Sequence, residues 1–354
     1  VLDAYVETAR TGYAAALITA QATQARINAF VDAPSERLLA EARKSWLDSR
    51  APYGRTEVFR YSGGPIDNEE TGVEGLVNAW PLDEAYLDGV EGAPNAGIVM
   101  RPDLYPELTK DVIVALNEKD GEANIATGYH AQEFLLWGQD MRADGPGDRP
   151  FTDFVEPGGT RAEGRRRGQL LRVITDLLVG HLGAVVDAWG PLGDDGNTHG
   201  SRFRQGGNAS LAAAFRGVVS LVSTELTRER MNNAYRTQDQ EEEHSCFSDN
   251  TLADLLANLE GVKDVYLGRG SAPGLSEAVR AASPAVDDAV RARLADAEKA
   301  IGAIPAPFDQ AILGSDEAPG RVRLRDAIAR STELGESLFD AAKALGFDIP
   351  RGVD

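Results

Sequence analysis

Apolar residues recur at helical spacing along most of this chain. Leu2, Tyr5, Ala9, Tyr13, Ala16, Ala20 and Ile27 follow one another at steps of three, four and seven, so residues 2–31 are expected to form an amphipathic helix. Pro34-Ser35-Glu36 punctuates the pattern, and Leu38, Leu39, Ala42 and Trp46 start a second helix. The period returns at 104–118 through Leu104, Leu108, Val112 and Leu116, and again at 122–138. It is clearest in Leu170, Val173, Ile174, Leu177, Leu178, His181, Val185 and Ala188. A long helix is expected from about Leu211 to Glu243. Shorter ones follow at 251–260, at 275–303 with Pro284 as a break or kink, and at 321–346. No segment alternates long enough to be a strand, and VFRY at 58–61 is too short to count.

Long helices joined by short turns make an all-α protein of two helical-bundle domains. Each half opens on two long helices, passes through a polar region and closes on a helix pair, the layout of a duplicated four-helix-bundle unit. The turn-rich stretch 141–162 reads as the connection, with an N-terminal bundle over 1–150 and a C-terminal bundle over 151–354. Residues 51–103, rich in Gly, Pro, Asn and Asp, are long for a plain loop and are expected to serve function.

Charge narrows the partners. The chain carries 56 acidic and 36 basic residues, a net charge of −20, which repels phosphate backbones and anionic headgroups. Nucleic acid is excluded as a partner on this ground, whereas cations are concentrated near such a surface. Cys246 is the single cysteine, so neither an intrachain disulfide nor a zinc site of several thiolates can form. The lack of disulfides leans slightly towards the cytosol. No run approaches the roughly 18 apolar residues of a membrane span.

The candidate chemistry starts from GYHAQEFLLWGQD, 128–140. Positions three apart on a helix share a face, so His130 and Glu133 can offer an imidazole nitrogen and a carboxylate to one cation. Gly128 would let another backbone approach, and Trp137 is expected to shield the pair from solvent. On spacing alone the plain reading, a His–Glu hydrogen bond on an interhelical surface, is favoured. A complete cation site needs about four to six donors. The acids available for it are Glu57, Asp67, Glu69, Glu70, Asp83, Glu84 and Asp88.

A second polar run, QDQEEEHSCFSDN at 238–250, offers Glu243, His244 and Asp249 as ligand or interface residues. Ser248 and Asp249 are good caps for the helix that follows. Cys246 is expected to be a small buried residue rather than a nucleophile. His181 lies on an apolar stripe and is expected in the core, His199 is expected on an exposed loop, and Arg165, Arg166 and Arg167 are expected to pair with local carboxylates. HExxH, G-x-S-x-G and phosphate-cradling GxxxxGK[ST] patterns are absent.

Five blocks in order carry a resemblance to a known family: PYGRTEVFRYSGGPID (52–67), GLVNAWPLDEAY (75–86), GYHAQEFLLWGQD (128–140), GPGDRPFTDF (145–154) and YRTQDQEEEHSCFSDNT (235–251). The chain resembles the imelysins, in the branch of the iron-regulated proteins. The resemblance implies a periplasmic or otherwise extracytoplasmic bacterial protein, with any lipid or membrane anchor preceding Val1. It implies that Gly128, His130 and Glu133 match the family's Gly-x-His-x-x-Glu motif. In related iron-uptake proteins that pair is part of a metal site, joined by a glutamate that falls here on Glu57 and an aspartate that falls on Asp83 or Asp88.

Two functions are weighed from this. The first is a metal-binding protein of iron acquisition that holds iron, or else zinc or copper, as a free ion or chelate and passes it to a membrane uptake component. The second is a zinc-dependent peptidase of the imelysin type, which needs a third ligand from His244, His199 or His181 and a general base that no residue pattern singles out. A module binding a non-metal ligand at the domain interface is a third.

Overall fold

The stripe over 2–31 is one unbroken helix, α1 (Leu2–Asp32), in the computed structural model, which describes residues 1–68, 70–191 and 196–351. α2 (Glu36–Gly54) starts where the Ser35 hydroxyl accepts the Leu38 N–H, and it packs back along α1. The 51–103 segment is not an open loop. It folds into a 3-10 turn at Glu57–Phe59 and three short helices, α3 (Glu74–Val77), α4 (Glu84–Leu87) and α5 (Gly97–Met100). α6 (Lys110–Leu116) starts later than the pattern suggests because Thr109 caps it and Leu104 lies exposed outside it. α7 (Gly128–Trp137) buries all ten of its residues.

After a 3-10 turn at Phe151–Phe154 the chain enters α8 (Gly164–Trp189) and then α9 (His199–Gln205). α10 (Asn208–Ser220) runs into a π-helical stretch, Leu221–Asn233, and α11 (Ala234–Thr237), which ends at Gln238 with φ 56 rather than continuing to Glu243. α12 (Thr251–Leu267), α13 (Leu275–Ala282), α14 (Pro284–Ile301), α15 (Phe308–Ile312) and α16 (Pro319–Ala344) complete the chain. Pro284 is the expected break. It opens α14 at a position where a missing N–H leaves no helical bond unmade. Among the described residues the only extended pairing is one bridge between Val90 and Ala93, so the fold is all-α.

Two apolar cores form. One gathers Ile27 and Phe30 of α1, Trp46 of α2, Phe134 of α7 and Leu171 and Leu178 of α8. The other gathers Val222 of the π stretch, Leu259 of α12, Leu294 of α14 and Leu334 of α16. The boundary at 150/151 does not divide them. α8 was expected to open the second bundle, yet its Leu170–Leu182 stripe packs into the first core and Val185, Val186 and Trp189 at its end reach the second. α1 is shared likewise, with Tyr5–Tyr13 in one core and Ala16–Phe30 in the other. The turn-rich 141–162 stretch therefore connects elements of one core. Two helices, α8 and the rod Asn208–Thr237, are long and apolar enough to cross a membrane, more than the residue runs suggested. Both contribute their apolar faces to these cores.

The 84–103 segment is tied to α8 by a buried carboxylate. Asp88 Oδ2 accepts from Arg149 Nη1 at 2.8 Å and Arg167 Nε at 2.6 Å, while Oδ1 accepts from Arg167 Nη2 at 3.0 Å and the Gly89 N–H at 2.8 Å. Burial opposes its charge, but the two guanidinium groups hold its pKa below the usual carboxylate range. Removing one partner of such a cluster leaves unpaired buried charge. Asp88→Ala is predicted to lower the unfolding free energy by about 3–5 kcal/mol, measured by chemical denaturation.

Candidate functional site

The geometry of the Gly-x-His-x-x-Glu helix starts at its glycine. Gly128 has φ +83, and a Cβ there would lie 2.5 Å from the Val77 carbonyl oxygen, so only glycine fits where α3 crosses the start of α7. Two positions on, His130 Nδ1 meets Glu133 Oε2 at 2.9 Å. The other oxygen, Glu133 Oε1, accepts from the Ser248 N–H at 2.9 Å and the Ser248 hydroxyl at 2.6 Å. Both residues are fully buried.

A second imidazole comes from the 238–250 run. His244 packs edge-on against His130, with ring centroids 4.6 Å apart and planes at 71°. Its Nδ1 lies 3.2 Å from Asp254 Oδ2 on α12. Asp254 also accepts from Arg50 Nε and Nη2, each at 3.2 Å, and from the Ser245 hydroxyl at 2.5 Å. Each histidine thus has a carboxylate at Nδ1, and each Nε2 is buried without a hydrogen-bond partner. Trp80 closes the outer side, its ring 5.6 Å from His244 and its indole N–H donating to the Glu243 carbonyl at 2.9 Å.

Electrostatics favour neutral rings. Burial, then His244 and Arg50, push the His130 pKa well below its ordinary value. Burial, then Arg230 and Arg50, do the same for His244. Burial lifts Glu133 to about 8, against the two Ser248 hydrogen bonds and the Arg50 charge. With Glu133 ionised, a His130 Nδ1–H donates to it and the Nε2 lone pair is free. This is the arrangement by which carboxylates orient metal-ligating histidines.

The remaining sequence candidates separate. Glu57 is buried nearby but already engaged: its carboxylate binds the Arg230 guanidinium, with Nη1 at 3.2 Å from Oε1, and accepts from Asn258 Nδ2 at 3.1 Å. Burial works against its ionisation, but Arg230 holds it at about 2. It is therefore one half of an ion pair rather than a free donor. Asp83 does not join the histidines. It is exposed and caps α4 through the Ala85 N–H at 2.9 Å. Asp88 is held in the Arg149–Arg167 clamp, so neither aspartate supplies the expected ligand.

Trp137 packs against the Trp46 ring at 5.3 Å and under the Arg43 guanidinium at 5.6 Å, and shields that junction rather than the pair. Asp67 accepts from the Tyr61 N–H, Glu84 from Gln139, Glu70 is exposed, and Glu69 lies outside the described residues. Ser248 and Asp249 do not cap α12. Ser248 is drawn to Glu133, Asp249 takes a left-handed conformation at φ 57, and Asn250 stands at the cap position.

His181 is half-buried on α8, and His199 is not an exposed loop residue. It opens α9 and packs edge-on against Trp189 at 4.7 Å. Of the three consecutive arginines, Arg167 pairs with Asp88, Arg166 donates to backbone carbonyls including Val99 at 3.0 Å, and Arg165 is exposed. Cys246 is buried, and burial raises its thiol pKa well above the ordinary value, which removes it as a nucleophile.

The residues that complete the centre, Arg50, Asp254, Arg230 and Asn258, escaped the sequence reading. Arg50 and Asp254 are each one charged residue among several on their helices. A signal was available in the polar pair Asp254 and Asn258 at i,i+4, set among Leu252, Leu255, Leu256 and Leu259 in the first part of α12.

The imelysin family model matches residues 9–338, and the chain belongs to the imelysin family. It is 25% identical over 306 residues to iron-regulated protein A of Synechococcus elongatus, covering 82% of this chain and 72% of that one. Its fold is similar to that of a crystal structure from Parabacteroides distasonis, provisionally named an iron-regulated protein A precursor. The TM-score is 0.74 at 17% identity, over 97% of this chain and 95% of that one.

The raised Glu133 pKa has a stability consequence. Folded Glu133 keeps its proton to about pH 8 whereas the unfolded carboxyl releases it near 4.5, so the folded state binds more protons and loses stability as pH rises through this window. The two histidines act oppositely, and only below their unfolded value of 6.5. Between pH 6.5 and 8 the metal-free wild type is predicted to lose stability more steeply than Glu133→Gln, by about 1.4 kcal/mol per pH unit at most. Parallel denaturation curves for the two proteins would contradict this.

Proposed function

We propose that this protein is an extracytoplasmic metal-binding protein of bacterial iron acquisition, with iron as the cation held and zinc or copper as competitors. The observation that carries the reading is the pair of buried imidazoles, each backed by a carboxylate at Nδ1 and each with an unpartnered Nε2. Imidazole suits iron, zinc and copper alike, and the acidic chain as a whole favours cation capture. The names of the two relatives, both iron-regulated proteins, point the same way.

The residues fit a cation in a definite division of labour. His130 and His244 would ligate through Nε2. Glu133 and Asp254 would hold each ring in its tautomer, and Ser248 and Arg50 would hold those carboxylates in turn. Arg230 neutralises Glu57, so the additional positive charge is balanced by Glu133 rather than by Glu57. A bound cation supplies Lewis acidity at this point. Oxygen ligands beyond the protein, from water or from a chelator carried with the metal, would complete the shell, and delivery to a membrane uptake component would require the Trp80 side to open.

A zinc-dependent peptidase is the second reading, since the family takes its label from peptidases. His130, Glu133 and His244 would be its centre. Their burial, at 1% exposure or less, leaves no face for a peptide bond, and Glu133 has both oxygens engaged and so is a poor general base.

Isothermal titration of chelator-stripped protein with iron, zinc and copper tests the proposal. Wild type is expected to bind with saturable stoichiometry, His130→Ala/His244→Ala to lose that binding, and Glu133→Gln or Asp254→Asn to weaken it by about 10–100-fold. Unchanged binding in the double variant would overturn the reading. Zinc-dependent cleavage of an unfolded substrate, abolished by Glu133→Gln, would reverse the ranking of the two functions.

A further inference from the structure

The same 238–250 run that delivers His244 inward also turns two carboxylates towards a third from a distant helix. Glu243, Asp249 and Asp309 each present a carboxylate oxygen, and these oxygens lie within 4.8 Å of one another. Asp309 comes from α15, so the trio is made by the fold rather than by a local run of acids. Asp249 reaches it from a left-handed backbone conformation that non-glycine residues seldom adopt, at φ 57.

An acidic cluster alone says little, but Glu243 is not a surface acid. Its side chain is fully buried, and neither carboxylate oxygen has a hydrogen-bond partner. The Thr251 hydroxyl lies close enough to moderate its charge, but no hydrogen bond of good geometry reaches either oxygen. Asp309 Oδ1 and Asp249 Oδ1 are unpartnered too, while Asp309 Oδ2 accepts from Gln310 at 2.6 Å. Among the described residues no Lys, Arg or His side chain forms an ion pair with any of the three, and burial, then Asp140 and Asp309, push the Asp249 pKa up to about 6 against a smaller opposing effect of Arg142.

Buried carboxylates elsewhere in this protein are paired. Asp88 has two arginines, Asp254 has Arg50 and Glu57 has Arg230. Glu133 lacks an arginine but has both oxygens hydrogen-bonded, to His130 and Ser248. Glu243 differs in having neither a counter-charge nor a hydrogen bond among the described residues, and three converging acids so placed need either shared protons or a bound cation.

We infer that Glu243, Asp249 and Asp309 form a second cation site, built of oxygen donors alone and suited to a hard divalent ion such as calcium, manganese or magnesium. The chemistry differs from that of the histidine centre. All-carboxylate donors with room for water select hard cations, whereas imidazoles select borderline ones. A cation here would fix the 238–250 run from one end, Glu243 being adjacent in sequence to His244, and would hold His244 against Asp254. The inference does not rest on the proposed function, because none of the three acids belongs to the histidine centre.

Trp80 makes the test direct, since its indole donates to the Glu243 carbonyl and so sits beside the site. Chelator-stripped protein titrated with terbium and excited in the tryptophan band is expected to give saturable, sensitised emission that calcium and manganese compete away. Glu243→Gln and Asp309→Asn should each weaken this binding at least about tenfold, while His130→Ala/His244→Ala should keep it. Circular dichroism melting confirms that each variant is folded, and Asp249→Asn serves if Glu243→Gln does not fold. Absence of saturable emission in wild type, or unchanged affinity in the folded acid variants, would overturn the inference. Loss of iron binding in the histidine variant with terbium binding intact separates this site from the first.

Discussion

Asp254 is the residue through which the centre of this protein is held together. A buried carboxylate needs strong partners, and this one draws them from separate parts of the chain: Arg50 of α2, His244 and Ser245 of the 238–250 run, and Asn250 before α12. Arg50 in turn donates to Asn78 at 2.8 Å and lies over the Tyr129 ring at 4.8 Å, which brings α7 into the same network. The position of His244 against His130 follows from this one satisfied charge.

The two cores give that network its frame. α1 and α8 run through both cores, so the halves share their longest helices rather than meeting across a linker. Cys246 and Phe247, which look out of place in a polar run, anchor that run in the first core, with Phe247 against Phe134 at 5.1 Å. The run is therefore fixed on both sides, by apolar packing towards α7 and by Asp254 towards α12. A π-helical stretch is rare at this length, and here it carries Arg230 inward to Glu57. The outcome is a buried polar layer in which the Nε2 atoms of His130 and His244 are left without hydrogen-bond partners.

Much of the fold was legible in the sequence, because the apolar stripes of α1, α8, α12 and α16 repeat at helical period and Pro284 marks its break plainly. The domain boundary was not. A turn-rich segment and a boundary look alike when the faces of α8 cannot be assigned to a core. Within the site, spacing on one helix put His130 and Glu133 within reach of each other but favoured a plain hydrogen bond, and only the resemblance carried by the five blocks made them, with Gly128, candidates for a metal site. The histidine partner was visible as a residue but not as a neighbour, since nothing local in EEEHSCFSDN says that it crosses to α7. Glu57, Asp83 and Asp88 show the opposite limit. Their acidic side chains are compatible with ligation, but whether an arginine already holds the carboxylate is a matter of tertiary contact.

Whether one cation is held between His130 and His244 can be read from anomalous diffraction by iron- or zinc-loaded crystals of the full chain. An anomalous peak is expected within bonding distance of both Nε2 atoms, with Glu133 and Asp254 still on the Nδ1 side of each ring. Peaks confined to other positions, the Glu243 trio included, with the two imidazoles unchanged, would contradict it.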